Sequence, residues 1–112
     1  MEKRRLGRTG LEVTALSFGA LPIQRCTMTE AADVLNAALD AGINFIDTAR
    51  GYTDSEEKIG RCISTRRAEF FLATKSFARD RAGMAKDIDL SLATLQTEMI
   101  DLYQVHNIKE RK

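Results

Sequence analysis

The sequence predicts an α/β fold built around a mostly parallel β-sheet. Short β-rich runs alternate with amphipathic helical segments along the 112 residues, which implies right-handed βαβ crossovers. One glycine and three polar residues near the predicted strand ends recur at intervals of about 30 residues, the length of one βα unit: Gly19, Asp47, Lys75 and His106. Because parallel strands end at a common edge, we expect these four positions to meet where such folds bind ligands.

Composition limits the classes of function. The chain, 1–112, has the length of a single domain, with 44% hydrophobic and 29% charged residues as in ordinary globular proteins. A net charge of +1 gives no reason to expect a nucleic acid or an anionic membrane as a partner. Cys26 and Cys62 are separated and form no metal-ligand pattern. No apolar run approaches a membrane span, and no signal-peptide pattern follows the charged start, so we expect a cytoplasmic protein without a metal.

The first third of the chain is predicted to form a hairpin, a strand and a helix. "RRLGRTGLEV" (4–13) contains two short runs around a glycine-rich turn, and "VTALSFGAL" (13–21) is strand-like. Thr27 and Glu30 form a capping-box pattern at the start of a helix, and Gly42 supplies its stop. The apolar face of this helix comprises Ala31, Val34, Leu35, Ala38 and Leu39.

The remainder of the chain is predicted to contain two more helices and three more strands. Asp54 and Glu57 repeat the capping pattern for a helix with Ile59 and Ile63 on one side. A second helix, over 84–98, follows the loop "RDRAG", with apolar residues spaced by three and four. The strands are expected at 43–49, 69–77 and 99–107. The last residues, 108–112, are too few for another element.

Four side chains near the strand ends could together act on a carbonyl group. A tyrosine such as Tyr52 titrates ordinarily near pKa ~10, and a nearby ammonium such as that of Lys75 favours its phenolate. The carboxylate of Asp47 would keep Lys75 charged, and the neutral imidazole of His106 could orient the carbonyl oxygen. Since this set lacks an electron source, a hydride donor such as a nicotinamide cofactor would have to lie beside it.

Each of these residues also has a structural interpretation. Asp47 could pair with Arg50 or cap a turn, and Tyr52 could serve packing in a loop. Lys75 could be solvated at its strand end, and His106 could be a structural histidine. Their joint placement at strand ends favours the functional interpretation, although spacing alone leaves the reaction class open.

Longer motifs resemble one family. "GINFIDTARGYTDSEEKIG", "FFLATKS" and "IDLYQVHN" resemble the aldo-keto reductases in order and distance, and "RRLGRTGLEVTALSFG" resembles that family's N-terminal hairpin and first strand. The resemblance implies a catalytic tetrad of Asp47, Tyr52, Lys75 and His106, with Tyr52 as proton donor. "DTARGYTDSEEKIG" is especially similar to a microbial branch whose members often carry a C-terminal iron–sulfur domain. The sequence contains no cysteine cluster for such a domain.

The resemblance also sets the expected fold and ligands. The family forms a (β/α)₈ TIM barrel of roughly 250 residues, so this chain corresponds to its N-terminal half. The family binds NADP(H), or sometimes NADH, mainly through the later strands. Phe77 is expected either to line the substrate pocket or to pack in the core. The expected contacts on the nicotinamide side are Gly19, Ala20, Leu21, Asp47 and Asn107.

A half barrel would leave two edge strands open. We therefore expect either self-association of the chain or completion of the barrel by a C-terminal half. Three functions compete at this point. They are an oxidoreductase acting on small aldehydes or ketones, a binding or regulatory module similar to the family's ion-channel-associated members, and an inactive fragment.

Overall fold

A hairpin and a four-stranded parallel sheet form the framework of the molecule. The computed structural model describes residues 1–107, and β1 (Lys3–Arg5) pairs antiparallel with β2 (Glu12–Thr14). The sheet runs in chain order with all neighbours parallel, through β3 (Phe18–Gly19), β4 (Phe45–Asp47), β5 (Phe71–Ser76) and β6 (Leu102–Val105). The crossovers contain α1 (Met28–Asp40), α2 (Ser55–Ile63) and α3 (Arg81–Thr94). The predicted α/β class with an N-terminal hairpin is confirmed.

Helix α1 begins as the sequence predicts. The Thr27 hydroxyl accepts a hydrogen bond from the Glu30 N–H at 3.1 Å, and the Glu30 carboxylate accepts one from the Thr27 N–H at 3.0 Å. These bonds favour the ionised carboxylate and lower the pKa of Glu30. Four of the five predicted apolar-face residues are buried, but Val34 is 44% exposed and does not belong to the buried face.

Helix α2 begins differently from the prediction. Asp54 precedes it but makes no capping hydrogen bond, because its carboxylate lies 3.1 Å from the Lys58 ammonium one turn later. The buried Lys58 also donates to the carbonyl oxygens of Ile23 and Cys26, at 2.7 and 2.6 Å. This lysine therefore ties α2 to the short 3₁₀ helix Pro22–Arg25, which the sequence patterns did not indicate.

Several predicted boundaries are wrong: the strands expected at 43–49, 69–77 and 99–107 are shorter, and α3 ends at Thr94 instead of 98. In two further cases a side chain is the reason. The strand expected over 13–21 is interrupted after β2, since the Thr14 N–H donates to Asn44 Oδ1 at 2.7 Å and its hydroxyl to the Leu16 carbonyl. Helix α3 begins three residues early, because Asp80 in the expected loop caps it through the Gly83 N–H. The prediction that residues 108–112 add no element lies outside the described residues.

The core lies between the sheet and the helices on one side of it. Strand residues Ile46 and Leu72 pack with apolar residues of α1 and α2 and with Leu95 after α3. This arrangement leaves the carboxyl ends of the strands free to carry polar groups. Among residues 1–107 no helix has the length and apolar character needed to cross a membrane.

Candidate active site

The four predicted tetrad residues come together at the carboxyl edge of the sheet. Asp47 is the last residue of β4 and pairs in register with Gly19 of β3. Lys75 lies at the end of β5, and His106 follows β6 directly. Tyr52 lies in the loop that joins β4 to α2. The parallel register thus produces the predicted meeting of these residues.

The Lys75 ammonium donates hydrogen bonds to the Asp47 carboxylate and to a backbone carbonyl. Its Nζ lies 3.1 and 3.0 Å from the two Asp47 carboxylate oxygens and 2.8 Å from the Thr48 carbonyl oxygen. Only 14% of the Lys75 side chain is exposed, so it is not a solvated strand end. Arg50 pairs instead with Glu56, at 2.7 Å, which removes the alternative that Asp47 serves Arg50.

Tyr52 stands between the ammonium and the imidazole. Its ring centroid lies 5.1 Å from Lys75 Nζ, and its ring meets that of His106 edge-on, with centroids 5.6 Å apart. The loop is held locally, because the Tyr52 N–H donates to the Ala49 carbonyl and the Ser55 N–H donates to the Tyr52 carbonyl. A phenol, a cation and an imidazole therefore share one corner of the sheet.

The backbone of His106 is held on both sides. Its backbone N–H donates to the Ser76 carbonyl at 2.7 Å, and the Arg79 guanidinium donates to its carbonyl at 2.6 Å. Burial lowers the pKa of His106, the nearby Lys75 and Arg79 charges lower it further, and Asp47 opposes them. These effects favour the neutral imidazole, which is the form that can hydrogen-bond to a carbonyl without carrying charge.

Phe77 supports the same imidazole. Its ring stacks on that of His106 with centroids 4.1 Å apart and planes 11° apart. At 51% exposure it does not pack in the core, so that alternative is wrong. Its role as a wall of a substrate pocket stays a prediction.

Gly19 and Ala20, two of the predicted cofactor residues, lie beside Asp47. Gly19 is exposed and has open space where a Cβ would project, and Leu21 is 48% exposed. Ala20 is buried, its N–H donates to the Asp47 carbonyl, and its carbonyl accepts from Ser55 Oγ, both at 2.8 Å. Asn107 follows His106 with a φ of 60°. Within residues 1–107 no three His, Cys, Asp or Glu side chains cluster to hold a metal ion.

Sequence reasoning missed one buried carboxylate. Glu56 is 3% exposed and accepts hydrogen bonds from Arg50, Thr74 and Ser91. The acidic start of α2 was interpreted only as a helix cap. A signal was present, because Glu56 precedes Ile59 by three residues and therefore lies on the buried face of the helix.

Comparison with known proteins identifies the family. Residues 15–112 match the model of the Aldo/keto reductase family. The chain belongs to this family. It is 35% identical to 6-dehydroglucose reductase of Novosphingobium aromaticivorans, over 92% of this chain and 40% of that protein. It superposes on the aldo-keto reductase from Klebsiella pneumoniae in complex with NADPH with a TM-score of 0.87 and 28% identity, over 98% of this chain and 40% of that one.

One further relative is named as a channel subunit and not as an enzyme. The probable voltage-gated potassium channel subunit beta of Arabidopsis thaliana is 30% identical over 95% of this chain and 37% of its own length. The aldo-keto reductase chain therefore spans about two fifths of the length of the curated relatives it matches. The special similarity to the iron–sulfur branch is not borne out by the relatives found, which are named as reductases, oxidoreductases, a dehydrogenase and channel subunits.

Proposed function

We propose that this chain carries the catalytic corner of an NADP(H)-dependent oxidoreductase that reduces aldehydes or ketones to alcohols. The observation that carries the proposal is the assembly of Asp47, Tyr52, Lys75 and His106 in one site. Activity belongs to the completed barrel, since β3 and β6 are edge strands of the sheet in residues 1–107. Small carbonyl compounds are the proposed substrates.

Each residue of the site has a separate task in this reaction. The Tyr52 hydroxyl donates its proton to the carbonyl oxygen, and the Lys75 ammonium stabilises the phenolate that remains. Asp47 keeps Lys75 charged and in place. For His106, the buried Nδ1 has no hydrogen-bond partner within residues 1–107, and the donor in this mechanism is the Nε2–H of the neutral ring. That N–H orients the carbonyl oxygen by a hydrogen bond.

The site fits a nicotinamide ring next to Asp47. When bound, NADP(H) supplies the hydride that none of these side chains can provide. The open space above Gly19 and the exposed Leu21 leave room for a flat ring at this edge. The Klebsiella neighbour was solved with NADPH, which supports the phosphorylated cofactor over the alternative NADH. Residues that hold the adenosine end are expected in the rest of the barrel.

The test uses the two tyrosines of the chain as a matched pair. NADPH binding is measured by the fluorescence of the nicotinamide. Turnover of a simple aldehyde is measured in a polypeptide that contains this chain together with the remaining strands of the barrel. Because general acid catalysis contributes about 100-fold or more, Tyr52→Phe is expected to reduce turnover by at least that factor. Tyr103→Phe, outside the site, is expected to retain it. Equal activity in both variants would overturn the assignment of Tyr52.

A regulatory module is the second candidate, and the potassium channel subunit among the relatives favours it. NADPH binding without turnover of any aldehyde would support this candidate, whereas absence of both would indicate an inactive fragment. Completion of the sheet by a second copy or by further strands is part of the proposal. The cytoplasmic location stays a prediction. Cys26 and Cys62 are both free thiols.

A further inference from the structure

A buried polar cluster lies on the helix side of the sheet, outside the tetrad. We call Arg50, Glu56, Thr74 and Ser91 the Glu56 cluster. Arg50 Nη1 lies 2.7 Å from Glu56 Oε1, and the hydroxyls of Thr74 and Ser91 donate to Oε2 at 2.7 and 2.8 Å. Since an isolated buried carboxylate is costly, these three partners from three elements are what allow Glu56 to remain buried.

Two arms of the cluster reach the candidate active site. Arg50 lies in the loop two residues before Tyr52, and its backbone N–H donates to the Lys75 carbonyl at 2.9 Å. Thr74 precedes Lys75 directly in β5. The Glu56 carboxylate therefore binds both the loop that carries Tyr52 and the strand that carries Lys75.

The third arm leads away from the site. Ser91 belongs to α3, and its hydroxyl lies 3.2 Å from the Tyr103 hydroxyl of β6. This arm fastens α3 to the sheet and does not contact the Tyr52 loop. Substitutions within the cluster can therefore separate an effect on the Tyr52 loop from an effect on the stability of the fold.

We propose that Glu56 is a positioning residue, whose carboxylate ties the Tyr52 loop to strand β5 and so fixes the phenol beside the Lys75 ammonium. The inference rests on the proposed function for the role of Tyr52. The claim that Glu56 fixes the position of the Tyr52 loop is independent of that function. A cluster that served stability alone would respond alike to the loss of either arm. A positioning cluster disturbs Tyr52 only when the Arg50 arm is lost.

The lone histidine of the chain supplies the readout. The rings of His106 and Tyr52 are nearly perpendicular with centroids 5.6 Å apart, so the NMR resonances of His106 report the position of the Tyr52 ring through ring-current shifts. Neither Arg50 nor Glu56 is among the charges that shift the pKa of His106. A change in the titration of His106 after their substitution therefore reports a displacement of its neighbours.

The experiment compares Glu56→Gln and Arg50→Gln with Ser91→Ala in the full 112-residue chain. We expect the first two to shift the His106 resonances and to move its titration midpoint toward the ordinary 6.5. Ser91→Ala is expected to lower the melting temperature with the His106 signals unchanged. Arg50→Lys retains the positive charge, so its His106 resonances should lie closer to the wild-type positions than those of Arg50→Gln.

Two outcomes would overturn the proposal. One is an unchanged His106 spectrum in Arg50→Gln, which decides the question even if Glu56→Gln fails to fold, because Arg50 is partly exposed. The other is an equal His106 shift in Ser91→Ala. Neither outcome depends on turnover, so failure of this inference is distinguishable from failure of the proposed reductase activity.

Discussion

The ring of His106 is fixed by neighbours that no short motif reveals. The Tyr52 ring lies nearly perpendicular to it, and the Phe77 ring stacks on its face. The close approach of Gly51 to Phe77 is part of this arrangement, because a Cβ at Gly51 would lie 2.5 Å from Phe77 Cε2. The glycine after Arg50 thus allows the Phe77 ring to rest against the Tyr52 loop.

At this scale we predict that Gly51→Ala displaces the Phe77 ring from its stack on His106. The new methyl group cannot occupy the same space as the ring, and the flexible side chain moves more easily than the backbone. The measurement is the ring-current shift of the His106 signals. Gly19→Ala is the control, since a Cβ there meets nothing within 4 Å. An unchanged shift in Gly51→Ala would contradict the prediction.

Residue types at strand ends made the tetrad predictable, whereas the Glu56 cluster was not. Asp47, Lys75 and His106 recur at the interval of one βα unit, and that interval is visible in a single sequence. Two of the three partners of Glu56 come from α3 and β5, 35 and 18 residues away, and no local pattern encodes such pairings.

Among the elements, α2 does the most to organise the site. Its first turn carries Glu56, Lys58 binds the loop after β3, and Gly60 faces the end of α3. A Cβ at Gly60 would lie 2.3 Å from the Thr94 carbonyl oxygen. The glycine is therefore required for the close crossing of α2 and α3.

We predict that Gly60→Ala destabilises the chain, although alanine is the better helix former by about 1 kcal/mol. The clash is with backbone, which cannot move without separating the helices, and overpacking costs about 1–3 kcal/mol. Chemical denaturation measures the free energy of unfolding. Arg61→Ala, which removes only an exposed pair with Glu57, should change it by less than about 1 kcal/mol. A more stable Gly60→Ala variant would refute the packing argument.

Helices and parallel strands were predictable from periodicity, but their boundaries depended on tertiary hydrogen bonds. The capping box of α1 is local, and the prediction was right. The break after β2 depends on Asn44, which lies 30 residues further along, and the expected cap at Asp54 is lost to Lys58. Local propensity therefore gave the order of the elements, and long-range side chains determined where they begin and end.

At the scale of the whole molecule, the sheet of the described residues has open edges at β3 and β6. Val105 on β6 is 44% exposed. Unpaired strand edges favour pairing with another chain or segment. This is the physical basis for proposing completion of the barrel.

We predict that the isolated 112-residue chain associates in a concentration-dependent way. A charge on an edge strand opposes such pairing, so Val105→Lys is expected to shift the chain toward monomer in sedimentation velocity. Val34→Lys is the matched control, because Val34 has the same 44% exposure but lies on α1. A compact monomer at all concentrations in the wild type would exclude self-association.

The central claim is that Asp47, Tyr52, Lys75 and His106 form one site with a neutral imidazole. Titration of the single histidine by NMR tests it most directly. We predict a pKa below 6.5, raised by Lys75→Met and lowered further by Asp47→Asn, since the two charges act on His106 in opposite directions. A pKa at or above 6.5 that neither substitution changes would contradict the account.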